Sequence, residues 1–264
     1  MTRLSITPKK SLGQNFLVNP RILDKIVAAA EITKKDKVLE VGPGTGNLTE
    51  KLAEKAGLII AIEKDRRLIE SLKEKFRNTS VKIIEGDILK FRISDLGFRI
   101  SNYKIIGNIP YYITSKFLRT VFDDWPRPKL IVLTIQKEVA QRIMAKPPQM
   151  NLLALSVQFF SEPKIIGYIS KENFRPVPKV DSAIIKLMPK EKLPIDDPEK
   201  FFKIVRAGFS QKRKLLVSNL SKKSGIIKEE LLQIFEKTGI PLNIRAENLS
   251  LKQWVELSDY IKKR

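Results

Sequence analysis

Short apolar runs alternate with amphipathic helical segments between residues 37 and 160. This alternation predicts a parallel β-sheet whose strands are joined by right-handed helical crossovers. A packing helix that begins at Asn19 and Pro20 comes first. The strands are predicted at residues 38–41, 58–62, 81–85, 104–106 and 130–135, with two closing strands at 165–169 and 183–188. The further helices are predicted at residues 47–56, 66–77, 114–123, 136–145 and 151–160.

The pattern changes after residue 189. Residues 189–198 are rich in Lys, Pro and Asp, a composition typical of linkers. The sequence therefore predicts an α/β domain at residues 1–189, including a basic N-terminal arm, and a smaller all-helical domain at residues 190–264. No apolar run reaches 18 residues and no signal-peptide pattern is present, so we expect a soluble, cytoplasmic protein. The helices of the second domain are predicted at residues 199–209, 212–221, 228–238 and 251–262.

Composition narrows the range of functions. The formal net charge is +21 and the pI is about 10.0. A surface of this charge attracts polyanions, and we expect nucleic acid first and an anionic membrane second. The alternative explanation of the charge is a Lys-rich solvated surface that binds no polyanion. The chain has no cysteine and no histidine, which excludes disulfides, a thiolate nucleophile, imidazole zinc ligands and a Ser-His-Asp triad. Any chemistry must use carboxylates, amides, aromatic rings and backbone groups, and we expect no metal.

Glycine and acidic residues stand at the ends of three successive predicted strands. Gly42 begins a Gly-x-Gly-x-Gly run after the first strand, which differs from the Gly-x-Gly-x-x-Gly spacing of dinucleotide sites. Glu63 ends the next strand, 21 residues beyond Gly42, where an acidic side chain can bind ribose hydroxyls. Asp87 follows the third strand. The carboxyl ends of parallel strands share one crevice, so we expect these residues to form one ligand site.

The fourth strand ends in an unusual polar and aromatic sequence at residues 107–112. Asn108 offers a side-chain carbonyl, Ile109 and Pro110 offer main-chain carbonyls, and Tyr111 offers a flat ring. Together these groups can accept the hydrogens of an exocyclic amine and stack on the base that carries it. A proline-stiffened turn whose tyrosines cover the core explains the same residues equally well.

These features resemble a known family. The strand-end series is similar to the S-adenosylmethionine site of class I methyltransferases, and Asn-Ile-Pro-Tyr resembles their adenine-N6 motif. The segments 13–17 and 174–182 resemble the ribosomal RNA adenine dimethyltransferase family, and residues 209–216 are similar to its small-subunit branch. The resemblance covers essentially the whole chain. It implies a seven-stranded, mostly parallel Rossmann-like sheet whose last strand is antiparallel, and N6,N6-dimethylation of small-subunit rRNA adenines.

The resemblance also implies roles for individual residues. The residues expected to bind S-adenosyl-L-methionine are Asn15, Leu17, Gly42, Glu63, Asp87, Ile88 and Asn108. The residues expected to hold the target adenine are Asn108, Pro110, Tyr111 and Phe174, although a core position explains Phe174 as well. The basic residues expected to contact RNA are Lys9, Lys10, Arg175, Lys179, Lys212, Arg213, Lys214, Lys222 and Lys223, and exposed helix starts are the alternative explanation for the last five. Tyr112 departs from the polar residue that is frequent in the family at that position, which puts the shape of the pocket in question.

Three other functions compete with this one. A large-subunit methyltransferase of the macrolide-resistance type shares Asn-Ile-Pro-Tyr. A non-catalytic ribosome-assembly factor could retain the fold, although every expected cofactor position is filled. A nicotinamide-dependent oxidoreductase is disfavoured by the glycine spacing. We expect a monomer whose partner is small-subunit rRNA or its precursor particle.

Overall fold

The computed structural model describes residues 7–93 and 102–262, apart from the side chains of Lys10 and Lys262. The chain divides into two compact units. Unit 1 contains the described residues of Met1–Ala140 together with Glu162–Pro189, and unit 2 contains Gln141–Ser161 together with the described residues of Lys190–Arg264. One division between the units falls after Pro189, and residues 141–161 group with the helical unit. The domain organisation expected from the sequence stays a prediction.

A seven-stranded sheet forms the centre of the α/β part, with strand order β4-β3-β2-β5-β6-β9-β7. Its first five strands are parallel, whereas β9 pairs with β6 in the antiparallel direction. This confirms the predicted fold class. The strands are β2 (Lys37–Val41), β3 (Leu58–Glu63), β4 (Val81–Glu85), β5 (Tyr103–Asn108), β6 (Leu130–Gln136), β7 (Ser161–Ile169) and β9 (Ser182–Pro189).

Among the described residues, six helices alternate with these strands along the chain, and the last of them, α6, belongs to unit 2. Asn19 caps α1 by accepting a hydrogen bond from the Arg21 backbone, and Pro20 occupies the first turn, where its missing N–H has no cost. Asp65 caps α3 in the same way. The helices are α1 (Pro20–Ala29), α2 (Asn47–Ala53), α3 (Arg66–Lys75), α4 (Thr114–Asp123), α5 (Lys137–Ile143) and α6 (Leu152–Phe160).

A second, two-stranded sheet was not predicted. It pairs β1 (Phe16–Leu17) with β8 (Phe174–Arg175), so that Leu17 lies opposite Phe174. Leu17 and Phe174 are both buried in the main hydrophobic core of unit 1. This pairing therefore fixes the segment before α1 against the rest of the unit.

Buried charge holds the C-terminal end of α1. The Lys104 ammonium donates to the Ala30 and Glu31 carbonyls at 3.1 and 2.6 Å and to the Asp36 carboxylate at 3.0 Å. Cations stabilise a helix C-terminus because they interact favourably with its free carbonyls and dipole. Lys104 thus joins α1 to β5, the strand that ends at Asn108.

Unit 2 is helical around an aromatic core. Phe159 stacks on Phe201 with ring centroids 4.7 Å apart, and Phe209 stacks on Trp254 at 5.7 Å. Gly208 is required beside them, since a Cβ there would lie 2.4 Å from the Trp254 ring. Besides α6, the helices of this unit are α7 (Pro198–Gly208), α8 (Leu216–Lys223), α9 (Lys228–Lys237) and α10 (Leu251–Lys262).

The start of α8 differs from the prediction. The helix begins at Leu216, not at residue 212, and a turn precedes it. Asn219 is buried and donates through its amide to the Gly208 and Gln211 carbonyls at 2.6 and 3.0 Å. These two hydrogen bonds hold the turn that carries Lys212. Within the described residues, no helix has the length and apolarity that a membrane crossing requires.

Candidate active site

The carboxyl ends of the central strands of unit 1 surround one pocket. Nine of the residues expected at the cofactor and adenine sites line it together: Asn15, Leu17, Gly42, Glu63, Asp87, Ile88, Asn108, Pro110 and Tyr111. They converge because β2, β3 and β5 are parallel neighbours in the sheet and β4 follows β3, so the residues after these strands face the same edge.

The glycine run has a backbone that only glycine adopts readily. Gly42, Gly44 and Gly46 have φ angles of 69°, 59° and 80°, which lie in the left-handed region. The space that a Cβ would occupy at Gly42 is open, whereas a Cβ at Gly44 would lie 2.9 Å from the Phe16 ring. The run therefore leaves room for a ligand at Gly42 and packs closely under the N-terminal segment at Gly44.

Glu63 is held as a hydrogen-bond acceptor at the floor of the pocket. One carboxylate oxygen accepts from the Gly44 N–H at 3.0 Å, and the other accepts from the Asp65 N–H at 2.7 Å. Burial raises the pKa of Glu63 above its ordinary value, although the backbone N–H groups that bind the carboxylate oppose this shift. The fixed carboxylate keeps further lone pairs, which can accept hydrogen bonds from hydroxyl groups of a ligand.

Asp87 lies on the same side of the pocket and is ionised. Burial acts to raise its pKa, but the ammonium of Lys64 and the backbone of Leu89 outweigh this effect and the pKa is lowered. Lys64 Nζ lies 2.9 Å from one carboxylate oxygen, and the Leu89 N–H donates to the other at 3.1 Å. An acceptor of this kind can bind an exocyclic amine of a ligand.

The amide of Asn108 has a fixed orientation. Its Nδ2 donates to the backbone carbonyl of Asn15 at 2.9 Å, which directs Oδ1 away from that carbonyl. No hydrogen bond to Asn108 Oδ1 is found within the described residues. The site thus combines an oriented acceptor, the Asn108 Oδ1, with the neighbouring aromatic ring of Tyr111.

Tyr111 is also fixed in place. Its hydroxyl lies 2.6 Å from the hydroxyl of Ser182, which is buried at the start of β9. Burial raises the pKa of Tyr111, so the phenol is neutral at physiological pH. Tyr112, by contrast, is 62% exposed at the pocket rim.

The N-terminal segment lies across the glycine run and is attached at several points. Gln14 Nε2 donates to the Asp65 carboxylate at 2.8 Å, and its Oε1 accepts from the Lys9 N–H at 2.7 Å. Asp65 also accepts from the Arg67 guanidinium at 2.6 Å, and that group holds the pKa of Asp65 well below its ordinary range. Asn47 Nδ2 donates to the Leu17 carbonyl at 3.2 Å. These contacts make the segment one wall of the pocket.

Comparison with known proteins identifies the family of this chain. The model of the ribosomal RNA adenine dimethylase family matches residues 6–263. The chain belongs to the ribosomal RNA adenine dimethylase family. The ribosomal RNA small subunit methyltransferase A of Dehalococcoides mccartyi (strain CBDB1) is 40% identical over 260 residues, which cover 97% of this chain and 89% of the relative. Its counterpart in Pelotomaculum thermopropionicum is 37% identical over 274 residues, which cover 98% and 93%.

Solved structures agree with this membership in the dimethylase family. A dimethyladenosine transferase from Plasmodium falciparum superposes with a TM-score of 0.81 at 31% identity and covers 94% of this chain and 98% of its own. The 23S rRNA methyltransferase ErmE superposes with a TM-score of 0.77 at 24% identity. The superposition covers 94% of this chain and 100% of the ErmE chain. The ErmE comparison supports the fold of this dimethylase and nothing finer.

Phe174 is placed differently from the other expected site residues of this dimethylase. Its ring is 0% exposed and belongs to the hydrophobic core, opposite Leu17 in the small sheet, and it is not among the pocket-lining residues. A ring in this position cannot stack on a base unless it first leaves the core. The structure therefore favours the packing explanation, and a stacking role stays a prediction.

The basic residues expected to contact RNA are solvent-exposed in the dimethylase. The exposed side chains are Lys9, Arg175, Lys179, Lys212, Arg213, Lys214, Lys222 and Lys223. The side chain of Lys10 lies outside the part of the chain that the structure describes. Exposure is compatible both with phosphate binding and with the solvated helix starts considered as the alternative, so their RNA contacts stay a prediction.

Sequence reasoning missed a buried carboxyl group close to the site. Glu40 lies in β2, two residues before Gly42, and is 1% exposed. Neither of its carboxyl oxygens has a hydrogen-bond partner within the described residues. Burial raises the pKa of Glu40 to about 8; the nearby Thr49 hydroxyl opposes this shift, and the charge of Glu63 adds to it. The available signal was an acidic residue inside a parallel strand, which is normally apolar on both faces.

Proposed function

We propose that this chain is an S-adenosyl-L-methionine-dependent enzyme that dimethylates N6 of adenines in small-subunit, 16S-type rRNA during ribosome biogenesis. The substrate is proposed to be two adjacent adenosines in a loop near the 3′ end of that RNA. The observation that carries the proposal is the oriented amide of Asn108, next to Tyr111 in the pocket that Glu63 and Asp87 line. Family membership over residues 6–263 supports the reaction class.

The residues of the pocket fit S-adenosylmethionine. Glu63 has acceptor capacity for the two ribose hydroxyls, and Asp87 with the Ile88 backbone suits the adenine edge. Gly42 leaves open space for the methionine end. The bound cofactor supplies an electrophilic methyl group on its sulfonium.

Asn108 has the main role in the reaction. A free adenine amine is a poor nucleophile because its lone pair is conjugated with the ring. Asn108 Oδ1 and the neighbouring backbone carbonyls accept the amine hydrogens, which favours the pyramidal nitrogen that develops in the transition state. Asn108 can act in this way without reorganising, because the Asn15 carbonyl already fixes its amide. No general base is required, since the methylated nitrogen becomes acidic and loses its proton to solvent.

Tyr111 is the platform for the base. Its ring lies in the pocket wall and its hydroxyl is bound to Ser182, so the ring has little freedom to rotate away. A base inside a duplex cannot reach such a pocket, so the target adenine is unpaired or extruded from its stack. Most of the rate enhancement then comes from positioning the amine against an already activated methyl group.

Small-subunit RNA is the proposed partner. The relatives that match nearly the whole chain carry the name ribosomal RNA small subunit methyltransferase A. The net charge of +21 suits a polyanionic substrate, and the exposed Lys212, Arg213 and Lys214 offer phosphate contacts. We propose that a monomer of the chain acts in the cytoplasm on this RNA or its precursor particle.

The test of this function uses radiolabelled S-adenosylmethionine with unmethylated small subunits, large subunits and each naked rRNA. Nucleoside mass spectrometry identifies the product. Dimethyladenosine in small-subunit RNA alone is the expected result. Label in large-subunit RNA alone contradicts the substrate assignment and favours the macrolide-resistance type. Cofactor binding without any label contradicts the proposed catalysis and favours an assembly factor.

Two variants test the assigned roles. Asn108→Ala should abolish methyl transfer and leave RNA affinity nearly unchanged, whereas Asn78→Ala, at an exposed asparagine, should behave as wild type. Unimpaired turnover of Asn108→Ala would refute the role of its amide. The double variant Lys212→Ala with Arg213→Ala should weaken RNA binding and reduce its salt dependence, since fewer counterions are released.

A further inference from the structure

An exposed aromatic side chain stands near the end of β7, outside the pocket. Tyr168 is 54% exposed, although the next residue, Ile169, is buried. Lys137 Nζ lies over the Tyr168 ring, 5.2 Å from its centroid. The ring thus has an exposed surface and a cation beside it. Proteins that bind single-stranded nucleic acid use this combination to stack bases.

Hydrogen bonds of the dipeptide 181–182 connect the segment that carries this tyrosine to the proposed adenine site. Ser182 binds the Tyr111 hydroxyl at 2.6 Å. The preceding residue, Asp181, accepts from the Lys137 N–H through its backbone carbonyl at 3.0 Å. The Asp181 carboxylate accepts from the Lys171 N–H at 3.1 Å, three residues beyond Tyr168. Tyr168 and Tyr111 therefore lie on the same edge of unit 1, joined through the dipeptide 181–182.

We propose that Tyr168 and Lys137 form a second RNA site, which binds an unpaired base that flanks the target adenine. The base stacks on the exposed part of the Tyr168 ring, and the Lys137 ammonium attracts the adjoining phosphate. The inference rests on the proposed function, because it takes the target adenine to lie against Tyr111.

The chemistry of the surroundings favours RNA as the occupant. Extrusion of the target adenine leaves neighbouring bases without their stacking partner, so a protein ring that replaces this partner reduces the unfavourable free energy of extrusion. Exposed Lys164 lies in the same strand as Tyr168, and exposed Arg175 and Lys179 follow β7 in the same unit; their charges suit a phosphate backbone. Stacking on a tyrosine tolerates any base, so the site increases RNA affinity and positions the RNA strand without selecting a base sequence.

The test measures binding of the full-length protein to a stem–loop RNA that carries the adenines methylated by wild type. Each loop nucleotide that flanks these adenines is replaced in turn by an abasic residue. For wild type, one abasic position should weaken binding by about 5- to 150-fold, the range expected for loss of one stacked base. Tyr168→Ala should show the same loss on intact RNA, and the critical abasic position should then have no further effect.

Conservative and control variants separate stacking from other causes. Tyr168→Phe keeps the ring and should bind as wild type. Lys137→Ala should lower the slope of log affinity against log salt by about one. Tyr260→Ala, at an exposed tyrosine of α10, should bind RNA as wild type. The affinity of Tyr168→Ala for S-adenosylhomocysteine should be unchanged, which shows that the pocket is intact.

The outcomes distinguish this inference from the function on which it rests. If wild type methylates no RNA, the proposed function fails. If wild type methylates RNA but Tyr168→Ala binds it as tightly as wild type does, the function stands and the second site is overturned. Additive losses from Tyr168→Ala and every abasic position would also overturn it, because they show that no base stacks on the ring.

Discussion

Glu40 offers a quantitative test of the electrostatics beneath the glycine run. The folded protein raises the pKa of this carboxyl from 4.5 to about 8. Each unit of pKa shift corresponds to about 1.4 kcal/mol, so the whole shift corresponds to about 5 kcal/mol. The unfolded chain releases this proton near pH 4.5, whereas the folded chain keeps it until about pH 8. Raising the pH from 4.5 to about 8 therefore lowers the free energy of unfolding, and above about pH 8 the whole loss has occurred.

The variant Glu40→Gln removes the titrating group and keeps a side chain of similar size. At pH 5 the two proteins should be about equally stable, because Glu40 is protonated in the folded state. At pH 7 the variant should be more stable by about 3 kcal/mol, and above pH 8 by about 5 kcal/mol. Because the comparison is a difference between two proteins, the titration of groups that do not interact with Glu40 cancels.

The measurement is urea unfolding at a series of pH values, followed by tryptophan fluorescence. The chain has two tryptophans, so a Trp254→Phe background leaves Trp125 as the probe for unit 1. Glu54→Gln, at an exposed carboxyl, is the matched control for the exchange of a carboxyl for an amide. A difference for Glu40→Gln that stays constant between pH 5 and pH 8 would refute the reasoning.

Three further variants test other features of the fold. Lys104→Met leaves the Asp36 carboxylate buried without its cation, and urea unfolding should show a loss of about 3–5 kcal/mol. Gly44→Ala combines a left-handed backbone with a Cβ 2.9 Å from the Phe16 ring. The backbone strain alone should lower the free energy of unfolding by about 1–2 kcal/mol, measured by thermal unfolding. Calorimetry should also show weaker binding of S-adenosylhomocysteine. Asn219→Ala removes two hydrogen bonds from the turn before α8. Chemical unfolding should show that the free energy of unfolding of unit 2 falls by about 1–3 kcal/mol. The RNA affinity of the same protein should also fall.

The strands and most of the helices could be predicted because their signals are local. Strand β4 at Val81–Glu85 and helix α4 at Thr114–Asp123 have the predicted bounds. In each of them the apolar residues follow one periodicity, that of a strand or that of a helix, and polar or irregular segments lie on both sides. Two elements begin four residues away from their predicted starts: β7 begins at Ser161, before the predicted start, and α8 begins at Leu216, after it. At α8, Asn219 hydrogen-bonds to carbonyls 8 and 11 residues earlier, an interaction that no local pattern contains.

The clustering of the site residues was also predictable, because it follows from topology. Once the strands are parallel, residues that follow β2, β3, β4 and β5 must meet at one edge. The side-chain partners were not predictable in this way. The pairing of Leu17 with Phe174 joins segments far apart in sequence, and it buries a ring that the family resemblance implied was available to a base.

The hydrogen bond between Asn108 and the Asn15 carbonyl has a consequence for how the sequence can change. An aspartate at position 108 would place a carboxylate oxygen where Nδ2 now donates to that carbonyl, and the repulsion of the two acceptors would displace the N-terminal segment. The acceptor is a backbone carbonyl, which any residue at position 15 supplies, so the hydrogen bond restricts position 108 and the path of the chain at position 15. A substitution at position 108 should therefore preserve a donor to that carbonyl, although 93 residues separate the two positions.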